Sequence, residues 1–259
     1  MKDIIIKKIK EIEKEKNIKV LYACEAGSRA WGLHAIDSDY DVRFIYIHPT
    51  DYYLSIDPVG IGKKRDTIEV PMHSTLDLHG WELTKALRLF RKSNPGLLEW
   101  LNSPIVYVGP SDTIKDMMDF QSQLFQPKPC VHHYINMAKS NLRKLDETTA
   151  NTIKLYIQIV RPILIAKWII TYSTFPPIHL TALVHLLSPT EKNAIECLRE
   201  VKTKQLLEAN LPVGELQSFI RRELDFLDKS VSHMKTKQIQ VTNKLDTLFR
   251  MTLKKIWEN

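Results

Sequence analysis

The chain has 259 residues, 44% hydrophobic and 26% charged, which is enough to bury a substantial core and suits two modest domains better than one. Apolar stretches such as residues 163–170, broken by Lys167, fall far short of a bilayer span, and the amino terminus mixes both charge signs, so a cytoplasmic protein without a membrane partner is expected. The formal net charge of +7 falls mainly on residues 101–259, with 21 Lys and Arg against 15 Asp and Glu, an excess that suits phosphate-bearing partners without requiring them.

In chain order, the pattern predicts a charged helix over 2–16, an apolar strand over 18–24 and a Gly/Ser turn at 27–32. A second strand over 40–47 is mostly apolar, as expected of a strand covered on both faces. Two short extended pieces, 67–70 and 75–78, precede a helix over 81–91. From residue 111 onward the pattern is helix after helix, punctuated by Pro127, Pro129, Pro176, Pro177, Pro189 and Pro212. The expected architecture is an α/β domain with a small mixed sheet over residues 1–110. An all-α domain over 111–259 is expected to close a cleft for nucleotide and acceptor. Cys24, Cys130 and Cys197 form no paired spacing, which excludes a disulfide framework and a thiolate zinc site and predicts free thiols.

The chemistry concentrates in Ala26–Asp41, AGSRAWGLHAIDSDYD. Gly27 and Ser28, after a strand, form a turn whose backbone a ligand can approach, and the Ser28 hydroxyl with nearby N–H groups can bind phosphate oxygens. Asp39 and Asp41 stand two residues apart at a strand start, so their carboxylates share a face roughly 6.5–7 Å apart along the backbone. Hard oxygen donors at a sheet rim favour Mg2+ or Mn2+ that also grips triphosphate. Two ions about 3.5–4 Å apart call for a third carboxylate, and Asp77, between Leu76 and Leu78, supplies one; Glu69 competes for the part.

Gly27-Ser28, then Asp39 and Asp41, then Asp77 resembles the signature of the polymerase-β-like nucleotidyltransferase superfamily, in the form of its minimal and kanamycin-type branches. DSDYDVRFIYIHP, LDLHGWELTKALRLFRKSNPGLLEWLNSPIVY and KLYIQIVRPILIAKW are similar to a prokaryotic subfamily described as RNA-repair-associated, over roughly residues 20–170. The resemblance implies transfer of a nucleoside monophosphate, most simply AMP from ATP, to a hydroxyl with release of pyrophosphate. Asp39, Asp41 and Asp77 would be the metal ligands and catalytic carboxylates, with two Mg2+ or Mn2+ ions. The acceptor could be RNA or a protein. A different class of reading makes the chain an antitoxin-like regulatory partner that binds or nucleotidylates a helical protein.

Other residues stay open. Arg29 suits either triphosphate or the acidic cluster, and Arg43, on the face of Asp41, suits the cleft or a structural ion pair. Lys154, Gln158 and Arg161 make one stripe on an apolar helix, facing either solvent or the triphosphate; Pro162 follows at once. The loop Gly60–Asp66, GIGKKRD, lacks the spacing of a P-loop and reads as solvated. His132 and His133 read as surface or capping groups, and Trp31, Trp81 and Trp100 as core or cleft wall.

Overall fold

The computed structural model describes residues 1–57, 59–61, 65–73, 75–147, 152–206, 211–236 and 240–258. Helix α1, Lys2–Lys16, presents Ile5, Ile9 and Ile12 at helical spacing to the core and ends at Asn17 in the left-handed conformation (φ 49°). Strand β1, Lys19–Glu25, leads into a four-residue helix, α2, Gly27–Ala30, where a plain turn was expected. Strand β2, Tyr40–Ile47, is followed by the short helix α3, Thr50–Tyr53, and by β3, Thr67–His73, and β4, Leu76–Glu82.

Helix α4, Leu83–Arg91, begins two residues later than its pattern suggests. Trp81 and Glu82 stay in the strand because the Glu82 carboxylate caps the helix, accepting from the N–H of Thr84 and Lys85. Helix α5, Pro95–Leu101, and strand β5, Val106–Val108, complete this stretch, and α6, Asp112–Leu124, follows.

The five strands form one mixed sheet in the order β3-β4-β2-β1-β5. Only β2 and β4 are parallel; the other neighbours are antiparallel. The central strand β2 is buried over its apolar second half, and its neighbour β1 is buried from Val20 to Glu25. The three α1 isoleucines pack with Ile18, Val20, Val42, Phe44, Tyr46 and Leu78. Burying each such side chain contributes roughly 1.5–3 kcal/mol.

The helical elements are α7, Pro127–Glu147, α8, Thr152–Tyr172, α9, Leu180–Leu183, α10, Pro189–Lys204, and α11, Val213–Ser232. Helix α8 runs through Pro162 and is buried around most of its circumference. Its Lys167 pairs at 2.8 Å with the buried Glu223 of α11. Helix α10 opens on a capping box, Ser188 with Glu191, behind Pro189 at the first helical position. Helix α12, Thr242–Trp257, ends the described chain.

The chain divides into two compact units, but not at residue 110. One comprises Met1–Ala30, Asp39–Leu124 and Gln238–Asn259; the other comprises Trp31–Ser38 and Phe125–Lys237. The first unit keeps α6 and recovers α12 because these helices complete its core. Thr113 and Thr252 share a hydroxyl contact of 2.7 Å, Arg91 donates to Thr242 at 2.9 Å, and Phe249 meets the edge of Tyr53 at 5.0 Å. In the second unit, Trp31–Ser38 is held by its own contacts. Leu180 N–H donates to the Trp31 carbonyl at 3.0 Å, Gln205 donates to Asp37 at 2.7 Å, and Gly32, at φ +72°, lies where a Cβ would strike the His179 ring. Cys24 and Cys130 are buried free thiols, pushed up to about 12 by burial, and Cys197 is a half-buried one. No helix among the described residues is long and apolar enough to cross a membrane.

Candidate active site

The parallel pairing of β2 with β4 sets the site. In its register Asp41 stands directly opposite Asp77, and Arg43 opposite His79. Residues two apart on a strand share a face, so these four side chains form a patch of two rows. Arg43 Nη2 lies 3.1 Å from Asp41 Oδ1 and 2.8 Å from Asp77 Oδ2, while Nη1 donates to the Val42 carbonyl at 3.1 Å. One nitrogen therefore touches both carboxylates. Farther along the same strand pair, Gly80 allows the approach, for a Cβ there would lie 2.2 Å from the buried Phe44 ring.

Gly27 presses on this patch from α2. Its φ is +59°, and a Cβ built on it would sit 2.0 Å from Asp41 Oδ2. The glycine is thus required twice, by its backbone conformation and by the carboxylate packed against it. Ser28 follows it, half-buried. Arg29 Nε donates to the Asp39 carbonyl at 3.0 Å, and its guanidinium lies over the Tyr40 ring at 3.7 Å. Asp39 itself is exposed and stands one residue ahead of β2.

Burial raises the Asp41 carboxyl above its ordinary value; Arg43 opposes this, and the charges of Asp77 and Asp39 add to it. Asp41 thus stands near enough to feel both of the other acids. Beneath them is a fourth carboxylate, which the motif reading missed. Glu25, at the end of β1, is fully buried, accepts from the Asp41 N–H at 2.7 Å and from the Tyr107 hydroxyl, and is raised by its burial. It fixes the backbone that presents Asp41. An acid closing the apolar run KVLYAC was the available signal.

His79 is lowered, by burial first and then by the Arg43 charge, so its neutral form is favoured. Its Nε2 accepts from Trp81 Nε1 at 2.9 Å. Trp81 stacks on the buried Trp100 at 3.7 Å, so these two rings pack as core. Glu69 is on β3, opposite His79, with 3.6 Å between carboxylate and Nδ1, and joins neither aspartate.

Lys154 and Arg161 belong to the helical unit. Lys154 is exposed, whereas Arg161 is only 4% exposed and lies over the Trp31 ring at 4.2 Å, so the two do not share one environment. His132 and His133 are exposed on α7. Within GIGKKRD, Gly62, Lys63 and Lys64 lie outside the described residues.

Among the described residues, no three His, Cys, Asp or Glu side chains are arranged as a ready metal-binding group. The carboxylates nevertheless fit such an ion. Asp41 Oδ1 and Asp77 Oδ2 already share one positively charged nitrogen, at distances that exceed Mg2+–oxygen bonds by roughly 0.7–1.1 Å. Asp41 and Asp77 are the two carboxylates brought together there.

A mixed sheet that pairs two aspartates across parallel strands beside a short helix opening on Gly27-Ser28 belongs to a class, and this chain is a nucleotidyltransferase of the polymerase-β type. It belongs to the RNA repair pathway DNA polymerase beta family (RlaP), whose family model matches residues 1–251. It is 39% identical to the uncharacterized protein YcgL of Bacillus subtilis (strain 168), over all of this chain and 99% of that one. A solved nucleotidyltransferase-like protein from Exiguobacterium sibiricum 255-15 is 12% identical, covering 97% of this chain and 80% of that chain with a TM-score of 0.31.

Proposed function

We propose that the enzyme transfers AMP from ATP to a hydroxyl group at an RNA end, with Mg2+ or Mn2+ held by Asp39, Asp41 and Asp77. The observation that carries this reading is the register that sets Asp41 opposite Asp77, with one oxygen of each on a single cationic nitrogen. Bound divalent metal would supply charge neutralisation for the triphosphate and a lowered pKa for the attacking hydroxyl. The Ser28 hydroxyl, following the close approach at Gly27, binds a phosphate oxygen. Asp77 accepts the hydroxyl proton as the acceptor oxygen bonds to the α-phosphorus, and the bond from that phosphorus to the departing pyrophosphate breaks. Glu25 keeps Asp41 in place through the backbone. The family's description, an RNA repair pathway, supports the reading of an RNA acceptor. Arg29, beside Ser28 in the same unit, is a proposed triphosphate contact.

The deciding experiment incubates the full chain with each labelled nucleoside triphosphate and Mg2+ or Mn2+, in the presence of RNA, total protein or small metabolites. Label from ATP should enter RNA with stoichiometric pyrophosphate release. Asp41→Asn and Asp77→Asn should each lower that rate by at least about a hundredfold while keeping the circular dichroism of the wild type. Full turnover in the double variant would refute the mechanism, and label found only in protein would refute the acceptor.

A further inference from the structure

Arg43 already stands as a cation between Asp41 and Asp77, and we propose that it is a placeholder. It holds the carboxylates in position in the metal-free protein, and it must release both of them before a divalent ion can be bound, turning then to the phosphates of the nucleotide. This rests on the metal-binding reading of Asp41 and Asp77 given above.

Two carboxylates directly opposite each other on neighbouring strands repel, and that repulsion works against the parallel pairing that positions them. The Arg43 guanidinium removes it. Nη2 takes one oxygen of each aspartate, at 3.1 Å and 2.8 Å, and Nη1 is anchored on the Val42 carbonyl and reaches the Asp77 carbonyl at 3.5 Å. The Arg43 side chain is only 18% exposed, against 31% and 36% for the two aspartates, so the contact is partly shielded from water and salt. A nitrogen within hydrogen-bonding distance of both oxygens fills the space that a shared ligand would need. Since the oxygens require roughly 0.7–1.1 Å of further approach to meet a small divalent ion, within reach of side-chain rotation, the sheet register can stay as it is. What has to move is the guanidinium.

An arginine displaced from carboxylates recovers its charge-assisted bonds on a triphosphate, whose phosphate oxygens a guanidinium can take in pairs. Arg43 lies two residues along β2 from Asp41, on the same face, and so remains beside the phosphates after it lets go. Metal and nucleotide would then bind together far better than metal alone, because only the nucleotide gives the displaced charge a new partner.

The test measures Mn2+ binding to the full chain without nucleotide, by titration calorimetry or electron paramagnetic resonance, for wild type, Arg43→Gln, Arg43→Lys and Asp41→Asn. Arg43→Gln should bind Mn2+ at least about tenfold more tightly than wild type, with Arg43→Lys in between. A nonhydrolysable ATP analogue should narrow that gap by raising the wild-type affinity. In metal-free buffer Arg43→Gln should also melt below wild type and recover on adding Mn2+. If Arg43→Gln binds Mn2+ no better than wild type while Asp41→Asn binds none, the metal site stands and the placeholder is refuted. If Asp41→Asn binds Mn2+ like wild type, the metal reading fails and takes the placeholder with it. Should Arg43→Gln not fold, the same comparison is made with Arg43→Lys, and an unchanged affinity there refutes the proposal.

Discussion

Gly27 is the residue on which the site's geometry turns. Its left-handed φ costs an ordinary side chain roughly 1–2 kcal/mol, and the space beside it is filled by the Asp41 carboxylate. Gly27→Ala should therefore do more than strain a turn: it should push Asp41 out of line, lowering turnover by at least about tenfold with only a modest drop in melting temperature. Steady-state rates beside a thermal melt check this, and unchanged turnover would mean that Asp41 does not need its present position. The sequence revealed Gly27 through its place in the motif, as a gap left for phosphate. The packing against Asp41 became visible only with β1, α2 and β2 in place. Asp41 and Asp77 were legible because alternating strand positions and residue chemistry agree. Glu25 escaped because a buried acid without a motif looks, in one sequence, like any strand end. Arg43 was placed on the proper face by the period of two, but the strand opposite was needed to show that it spans both acids.

At the scale of elements, β4 carries an aspartate at its start and an anchoring carboxylate at its end. Glu82 is buried, caps α4, and accepts from the Tyr53 hydroxyl at 2.7 Å and from Thr84 N–H at 2.7 Å, so it ties α3 and α4 to the sheet. Burial outweighs these hydrogen bonds and raises its carboxyl above the ordinary 4.5. The sign follows: the folded state holds the proton longer than the unfolded state does. The stability this gives is complete below about pH 4.5 and is lost as the pH rises through the folded value. Glu82→Gln places an amide among N–H and O–H donors and should cost roughly 1–3 kcal/mol. Urea unfolding across pH 4 to 7 should show the gap between variant and wild type narrowing as the pH rises; a gap that widens would contradict the burial argument. The helix predicted over 81–91 missed this capping, since the apolar period of α4 continues back through Trp81 and only the Glu82 hydrogen bonds show where the strand yields. Helix α5 did carry a readable signal, Asn94 as N-cap and Pro95 at the first helical position, whereas β5 is three residues long and is defined only by its partner β1.

For the whole molecule, the two-class composition of the sequence, mixed elements first and helices afterwards, was correctly legible, but membership of the units was not. Period and propensity describe what a segment is; they do not say which neighbour it returns to. Helix α12 returns to the sheet-bearing unit, where Leu245, Leu248 and Leu253 are buried. At roughly 1.5–3 kcal/mol each, those three leucines alone rival much of the 5–15 kcal/mol by which a domain is stable. A chain ended before residue 240 should therefore lose the catalytic unit, giving dispersed amide proton signals only from the helical unit and no nucleotidyl transfer. A truncated protein that kept a cooperative melt and full activity would show α12 to be an ornament. Synthesis gives this arrangement a temporal meaning. A ribosome makes the entire helical unit before it makes α12, so the part of the enzyme that bears Asp41 and Asp77 is the last to receive all of its segments, and a nascent chain holds its aspartates in an incomplete fold until translation has passed the helical unit.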